Sequence, residues 1–294
     1  MTGSNSVNSP KTKGNLPVIP SNMGGDLHHL ENMDDADLAL FVAGNQFMVM
    51  PELLAAFQQQ YPEIKKIFYE TLPPGMELKQ ILAGGAIFQD RVIDVKPDIY
   101  ASVNEDAMHS LEEANLIEKG KFFLYLHNRI VLMVPEGNPV RITSVHDLAR
   151  DEVRISQPNP ETEDIALHII GMYREAGGEA LVKRIMEGKR AEGTTILTIV
   201  HHRETPLRLK KRTVDVGPVW ATEYKNARQE RLPFECIEPG EALDQRDKIN
   251  YFITVLKNAP NPSNAVKFLD FIKSDLARNI YKKYGFVPHR WTED

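Results

Sequence analysis

The chain has 294 residues, 42% hydrophobic and 26% charged, enough apolar matter for one large domain or two lobes with a true core. Its formal net charge is −6, which argues against nucleic acid as the main partner, because neutralising phosphates needs a basic face. The single cysteine, Cys236, excludes an intramolecular disulfide and a cysteine-cluster zinc site, and no apolar run approaches the roughly 20 residues that span a bilayer.

Residues 1–35 are rich in Gly, Ser, Asn, Pro and Asp and read as a flexible N-terminal arm. The arm carries His28 and His29, better explained as solvated residues than as a metal pair. The first residues lack an apolar core and do not form a signal peptide, so either the chain is cytoplasmic or a leader has been removed. Order begins with the apolar run 38–43, a buried parallel strand closed by Gly44-Asn45. An amphipathic helix spans 48–61, with Pro51 in its first turn. A strand at 64–69, a Pro-Pro-Gly turn into a helix at 77–82, a strand at 98–101 and a helix at 104–114 continue the alternation. That alternation predicts a parallel α/β sheet.

A second α/β unit follows. It has strands at 128–135, 153–156 and 214–219, and helices at 143–149, 164–176, 179–187 and 204–212. Cys236 sits in RLPFECIEP, a strand, as a plain core or edge cysteine. The chain ends in a strand at 250–257 and one long or two short helices over 261–283.

Several phrases then occur in a telling order: LFVAGNQ (40–46), MELKQILAGG (76–85), KPDIYASVNEDAMHSLEEANLIEKG (96–120), NRIVLMVPEGNP (128–139) and NPSNAVKFLDFIKSDLARNIYKKYGFVP (261–288). Together they resemble the type II periplasmic solute-binding proteins, and within them the molybdate/tungstate-binding family. The resemblance implies an α/β, two-lobed periplasmic-binding-protein-like (type II) fold with a ligand cleft between the lobes. Lobe 1 would comprise 36–130 plus 250–294 and lobe 2 residues 131–249, joined by crossing strands near 128–134 and 249–255. It also implies hinge closure on a solute and delivery to the permease of an ABC transporter.

Four turns are candidates for the cleft. In Gly44-Asn45-Gln46, Asn45 stands where the molybdate family places a serine; its amide can donate to an anion, or the residue simply tolerates the turn. In Pro73-Pro74-Gly75-Met76, prolines replace a hydroxyl-bearing turn and remove backbone donors, leaving those of Gly75 and Met76. That departure weakens the case for a bare tetrahedral oxyanion. In Pro158-Asn159-Pro160-Glu161-Thr162-Glu163, Asn159 and Thr162 can donate, while the glutamates suit a helix start. In VHHRETPLRLKKRTVDVGPVW (200–220), a helix starting at Leu207 would follow His201, His202 and Arg203. Arg203 offers a bidentate fork for carboxylate, phosphate or sulfate, or else pairs with Glu204 or Glu223. At least one of the two histidines must face away if the backbone is extended. Trp220, where the family has tyrosine, could bond an oxyanion, stack on an organic ligand or pack at the hinge.

His201, His202 and Glu204 are too crowded for a good metal site, and no nucleophile elbow or phosphate-binding glycine loop is present. The reading is therefore a monomeric solute-binding protein, not an enzyme, with no cofactor, no nucleic-acid partner and no membrane span. Its ligand is a small anion: molybdate, tungstate, sulfate or a small phosphorylated or carboxylated compound. Its location is periplasmic or extracellular by resemblance. The alternatives are a metal-cation binder of the same fold and a cytoplasmic enzyme on this scaffold.

Overall fold

The computed structural model describes residues 16–103, 105–199 and 204–291. From the N-terminus the chain forms β1 (Val18–Ile19), β2 (Leu27–His28), β3 (Leu38–Val42), α1 (Met50–Gln60), β4 (Ile67–Glu70), α2 (Pro74–Ala83), β5 (Ala86–Phe88), β6 (Arg91–Ile93), β7 (Ile99–Ser102), α3 (Glu105–Glu113) and β8 (Phe122–His127). It continues through β9 (Ile130–Pro135), β10 (Ile155–Gln157), α4 (Asp164–Lys183), α5 (Lys189–Ala191), β11 (Thr195–Leu197), α6 (Glu204–Lys210), β12 (Gly217–Trp220), α7 (Ala221–Gln229) and β13 (Phe234–Ile237). It closes with β14 (Asn250–Val255), α8 (Pro262–Lys273), α9 (Asp275–Lys283) and β15 (Val287–Pro288).

The apolar runs sit where their composition demands. All five residues of β3 are buried, because β4 and β7 flank it in parallel and helices cover its faces. The first lobe's sheet has the order β15-β8-β14-β7-β3-β4-β2. α1 buries Met50, Leu53, Leu54 and Phe57, one helical stripe, and Phe57 meets Phe268 and Phe271 of α8 at ring separations of 5.2 and 5.4 Å. In the second lobe β9 is central, antiparallel to β12 and β13. The parallel pair β10 and β11 joins this layer through a bridge between Ile155 and Val216.

Neither 128–134 nor 249–255 crosses between lobes as a strand. β9 lies wholly in the second sheet and β14 wholly in the first, between β7 and β8. Between the two sheets run the pair Asn128 and Arg129 and the stretch 238–249, which carries the 3₁₀ turns Glu241–Leu243 and Arg246–Lys248. Each strand thereby pairs its backbone N–H and C=O groups on both sides, β9 with β12 and β13 and β14 with β7 and β8.

The arm also differs from expectation. Residues 1–15 lie outside the described residues, but 16–35 are packed rather than flexible. β1 runs parallel to β5, β2 pairs antiparallel with β4, and Ile19 and Leu27 are buried. His28 stacks on Tyr69 at 4.1 Å, its Nε2 is 3.0 Å from Thr71 Oγ1, and His29 Nδ1 is 3.0 Å from the Ile67 carbonyl. Both histidines thus anchor the arm. Composition hid this because the binding apolar residues are few and spaced by turns. β5, β6, β8, α5, β11, α7 and β15 likewise have no counterpart among the elements expected from the sequence.

Helix breaks follow local chemistry. α4 is interrupted at Gly177-Gly178, where Gly178 has φ 66°, a left-handed conformation suited to glycine. Ser274 separates α8 from α9, and its Oγ accepts from the Ala277 N–H at 3.2 Å.

Candidate functional site

A cavity of about 550 Å³ opens between the two lobes. Its walls come from the turn after β3 (Ala43, Gly44, Asn45), the turn into α2 (Thr71, Pro73, Pro74, Gly75, Met76, Lys79), the start of α4 (Thr162 to Ile165), Ile199 and Trp220. The two first-lobe turns touch: a Cβ on Gly44 would fall 2.8 Å from the Thr71 carbonyl oxygen, so glycine is what allows the approach.

Of the residues singled out in the sequence, Asn45, Gly75, Met76, Thr162 and Trp220 line this one cavity. Gln46 does not. It is fully buried behind the turn, its Oε1 accepting from Tyr125 and Tyr281 at 3.0 and 3.2 Å, because one residue of helical turn rotates it into the core. Asn159 is not among the lining residues either. Its backbone N–H donates to Thr198 Oγ1 at 3.0 Å and to Glu163 Oε1 at 3.1 Å, and its Oδ1 accepts from the Glu161 N–H. Asn159 thus shapes the loop before α4. His201, His202 and Arg203 lie outside the described residues. On their two sides, Ile199 lines the cavity and its N–H donates to Glu204 Oε1 at 2.8 Å. α6 begins at Glu204, as the helix expected over 204–212 does, and not at Leu207, so Thr205 is a buried first-turn residue, hydrogen-bonded to Ser156 at 2.9 Å.

Lys79, Thr71 and Asp26 were missed. Lys79 was findable: Gly75, Met76 and Lys79 are spaced i, i+1, i+4 on one helix and share a face. Asp26 was not, since only the packing of the arm brings it beside Thr71, whose hydroxyl donates to its Oδ1 at 3.3 Å.

The helix starts carry the electrostatics. The first turns of α2 and α4, one from each lobe, both face the cavity, and the leading N–H groups of a helix have no partner within it. In α2, Pro74 has no N–H, and Met76 and Glu77 donate to the Pro73 carbonyl at 2.8 and 3.2 Å. Gly75 is the remaining first-turn donor there. Against these stand four acidic lining residues: Asp26, Glu161, Glu163 and Asp164. Glu163 is held by Asn159 and by the Thr198 hydroxyl, and burial raises the pKa of Asp164 above the usual carboxylate range.

Behind Asn45 lies a polar cluster at the crossing. Tyr251 Oη bonds the Asn45 amide and receives Asn128 Nδ2 at 3.2 Å, and Asn128 Nδ2 also reaches Thr222 Oγ1 at 3.2 Å. Asn45 Oδ1 is buried and, among the described residues, has no hydrogen-bond partner. Trp220 is only 2% exposed and stands 6.1 Å from the His168 ring. It is thus both a packing residue and a cavity wall. Among the described residues no three His, Cys, Asp or Glu side chains converge to hold a metal ion, and no helix is long and apolar enough to cross a membrane.

Two α/β lobes around a cleft of mixed apolar and polar lining define a solute-binding architecture. Residues 38–287 match the bacterial extracellular solute-binding protein family, and the chain belongs to it. It is similar to a Bacillus subtilis (strain 168) protein named as an ABC transporter substrate-binding lipoprotein, YvgL, with 26% identity over 194 residues, 65% of this chain and 67% of that protein. The fold is that of the Azotobacter vinelandii periplasmic molybdate-binding protein, with TM-score 0.67, 17% identity, and coverage of 86% of this chain and 100% of that one. The sulfate-binding protein SubI from Mycobacterium tuberculosis also shares it, with TM-score 0.67, 15% identity, and coverage of 85% and 86%. These relatives are binding proteins, not enzymes.

Proposed function

We propose that this chain captures a small anion in the interlobe cleft and hands it to an ABC importer on the outer face of a membrane. The observation that carries the reading is the pairing of helix starts: α2 and α4 present their first turns to one cavity from opposite lobes. Lys79 adds a full positive charge, and Thr162 adds a hydroxyl donor. Asn45 fits as well. Its buried Oδ1, with no partner among the described residues, leaves the Asn45 amide with unused hydrogen-bonding capacity beside the cavity it lines. The relatives' descriptions as ABC, molybdate- and sulfate-binding proteins point the same way.

A metal-cation reading draws on the four lining carboxyl groups. It is the weaker one, because Glu163 and Asp26 already accept local hydrogen bonds and no ligand triad forms among the described residues.

The test is a thermal-shift panel of oxyanions, phosphorylated and carboxylated compounds, and divalent metals. A ligand at 100 times its Kd adds about 2.7 kcal/mol, roughly 4 °C in Tm for a chain of this size. Stabilisation by metals alone, with every anion inert, defeats the anion reading.

A further inference from the structure

The family match begins at residue 38, yet residues before it form part of the cleft. Pro17, Val18, Met23 and Asp26 line the same cavity as Asn45, Thr162 and Trp220. This segment is built in, not draped. Val18 and Ile19 pair with Ile87 and Phe88, and the Ile87 N–H donates to the Pro17 carbonyl at 2.8 Å. The Thr71 N–H donates to the Asp26 carbonyl at 2.9 Å. Gly24 lies so close to Phe88 that a Cβ there would fall 2.9 Å from the ring.

We propose that the strap 17–26 determines specificity in this cleft, and that with it the site takes an organic anion with an apolar body rather than a bare oxyanion. The inference rests on the anion reading above and narrows it. A bare oxyanion gives up strong hydration on entry and needs donors on every side. The strap wall supplies none from its side chains: Pro17, Val18 and Met23 are apolar, and Asp26 adds acceptor oxygens, which repel those of an oxyanion. Across from it, Pro73 and Pro74 lack N–H groups. The donors gather elsewhere, at the start of α4, at Gly75 and at Lys79.

That division suits a ligand with two ends. A carboxylate or phosphoryl head would sit against the helix starts, and a hydrocarbon body would lie along Val18, Met23 and Trp220. Val18 is 64% exposed, and Ile199, from the other lobe, is 83% exposed, although both line the cavity. Apolar surface held open on both sides of a cleft is what an apolar ligand body would cover. The volume, about 550 Å³, lies within the roughly 300–1,000 Å³ of organic-ligand pockets.

The experiment is calorimetric titration of the full chain with sodium molybdate and sodium sulfate, and separately with phosphoenolpyruvate, 3-phosphoglycerate, citrate and phenylphosphonate. At least one organic anion should bind tenfold or more tightly than either inorganic ion. Val18→Asn and Met23→Gln should each reduce that preference at least fivefold, with circular dichroism confirming the fold. Leu82→Asn, an exposed apolar position outside the cavity, should leave the preference within twofold. If molybdate or sulfate outbinds every organic probe, or if both strap variants keep the wild-type preference, the strap does not select and this inference fails while the anion reading stands. If no anion of either class binds, both fail together.

Discussion

Asn45, Gly75, Met76, Thr162 and Trp220 are far apart in the chain and meet in one cavity. Most were legible because turn chemistry has a sequence signature, Gly-Asn after an apolar run and Pro-Pro-Gly before a helical one; Trp220 rested on the resemblance, at a position where the family has tyrosine. Gln46 was misplaced by a single position. Next to a cavity-lining residue in a tight turn, a one-residue step rotates the side chain into the core, where two tyrosine hydroxyls hold it. Arg203 carries the residue-scale prediction. It is the sequence's best candidate for a bidentate anion contact, and Ile199, four positions earlier, reaches the cavity. Arg203→Ala should weaken anion affinity about 10- to 100-fold, the worth of one or two charged hydrogen bonds, and leave Tm of the free protein within about 2 °C. Titration calorimetry with whichever anion stabilises the wild type checks this, and wild-type affinity in the variant would remove Arg203 from the site.

Between elements, the cleft depends on how closely the turn after β3 meets the turn before α2. Gly44 permits that contact. Gly44→Ala must push the Thr71 and Leu72 carbonyls away, which should cost about 1–3 kcal/mol and misplace Asn45 against Gly75. Urea unfolding should show the lost stability, and the variant should bind its ligand more weakly than the stability loss alone requires. Both quantities unchanged would mean the turns are not in contact. The core elements were readable from periodicity, as in α1 and β3. β8 and the short edge strands were not, because two- and three-residue pairings such as β1 with β5 depend on a partner that no local pattern announces.

For the whole molecule, two properties should follow from the lobed build. Closure on a ligand should reduce the radius of gyration measured by small-angle scattering, from about 19 Å expected for a compact chain of this length. An identical scattering curve with and without saturating ligand would exclude hinge closure. The second property is pH dependence. Burial lifts the pKa of Glu70 to about 8, even though Gln80 donates to it at 2.9 Å. Glu77, also buried, is raised by burial and then by Glu70 and Asp26 nearby. A carboxyl group that keeps its proton in the folded state but loses it on unfolding stabilises the fold fully below the unfolded pKa of about 4.5, and that contribution fades as pH rises toward 8. The slope is up to about 1.4 kcal/mol per pH unit for each such group. Stability should therefore fall from pH 5 to pH 8, and Glu70→Gln should flatten the decline. A Glu70→Gln profile parallel to the wild type would show that this group does not titrate as described.

The sequence by itself determined the strand and helix alternation, the two-unit order, and the helix-starting turns that line the cleft. It could do so because periodicity, proline and glycine act over a few residues. Only the tertiary structure decided that the arm is a wall of the cleft, that Lys79 and Asp26 belong to the cavity, and that Gln46 belongs to the core. Those outcomes turn on contacts between segments far apart in the chain, and the energy of such contacts is absent from any local pattern until the lobes are packed.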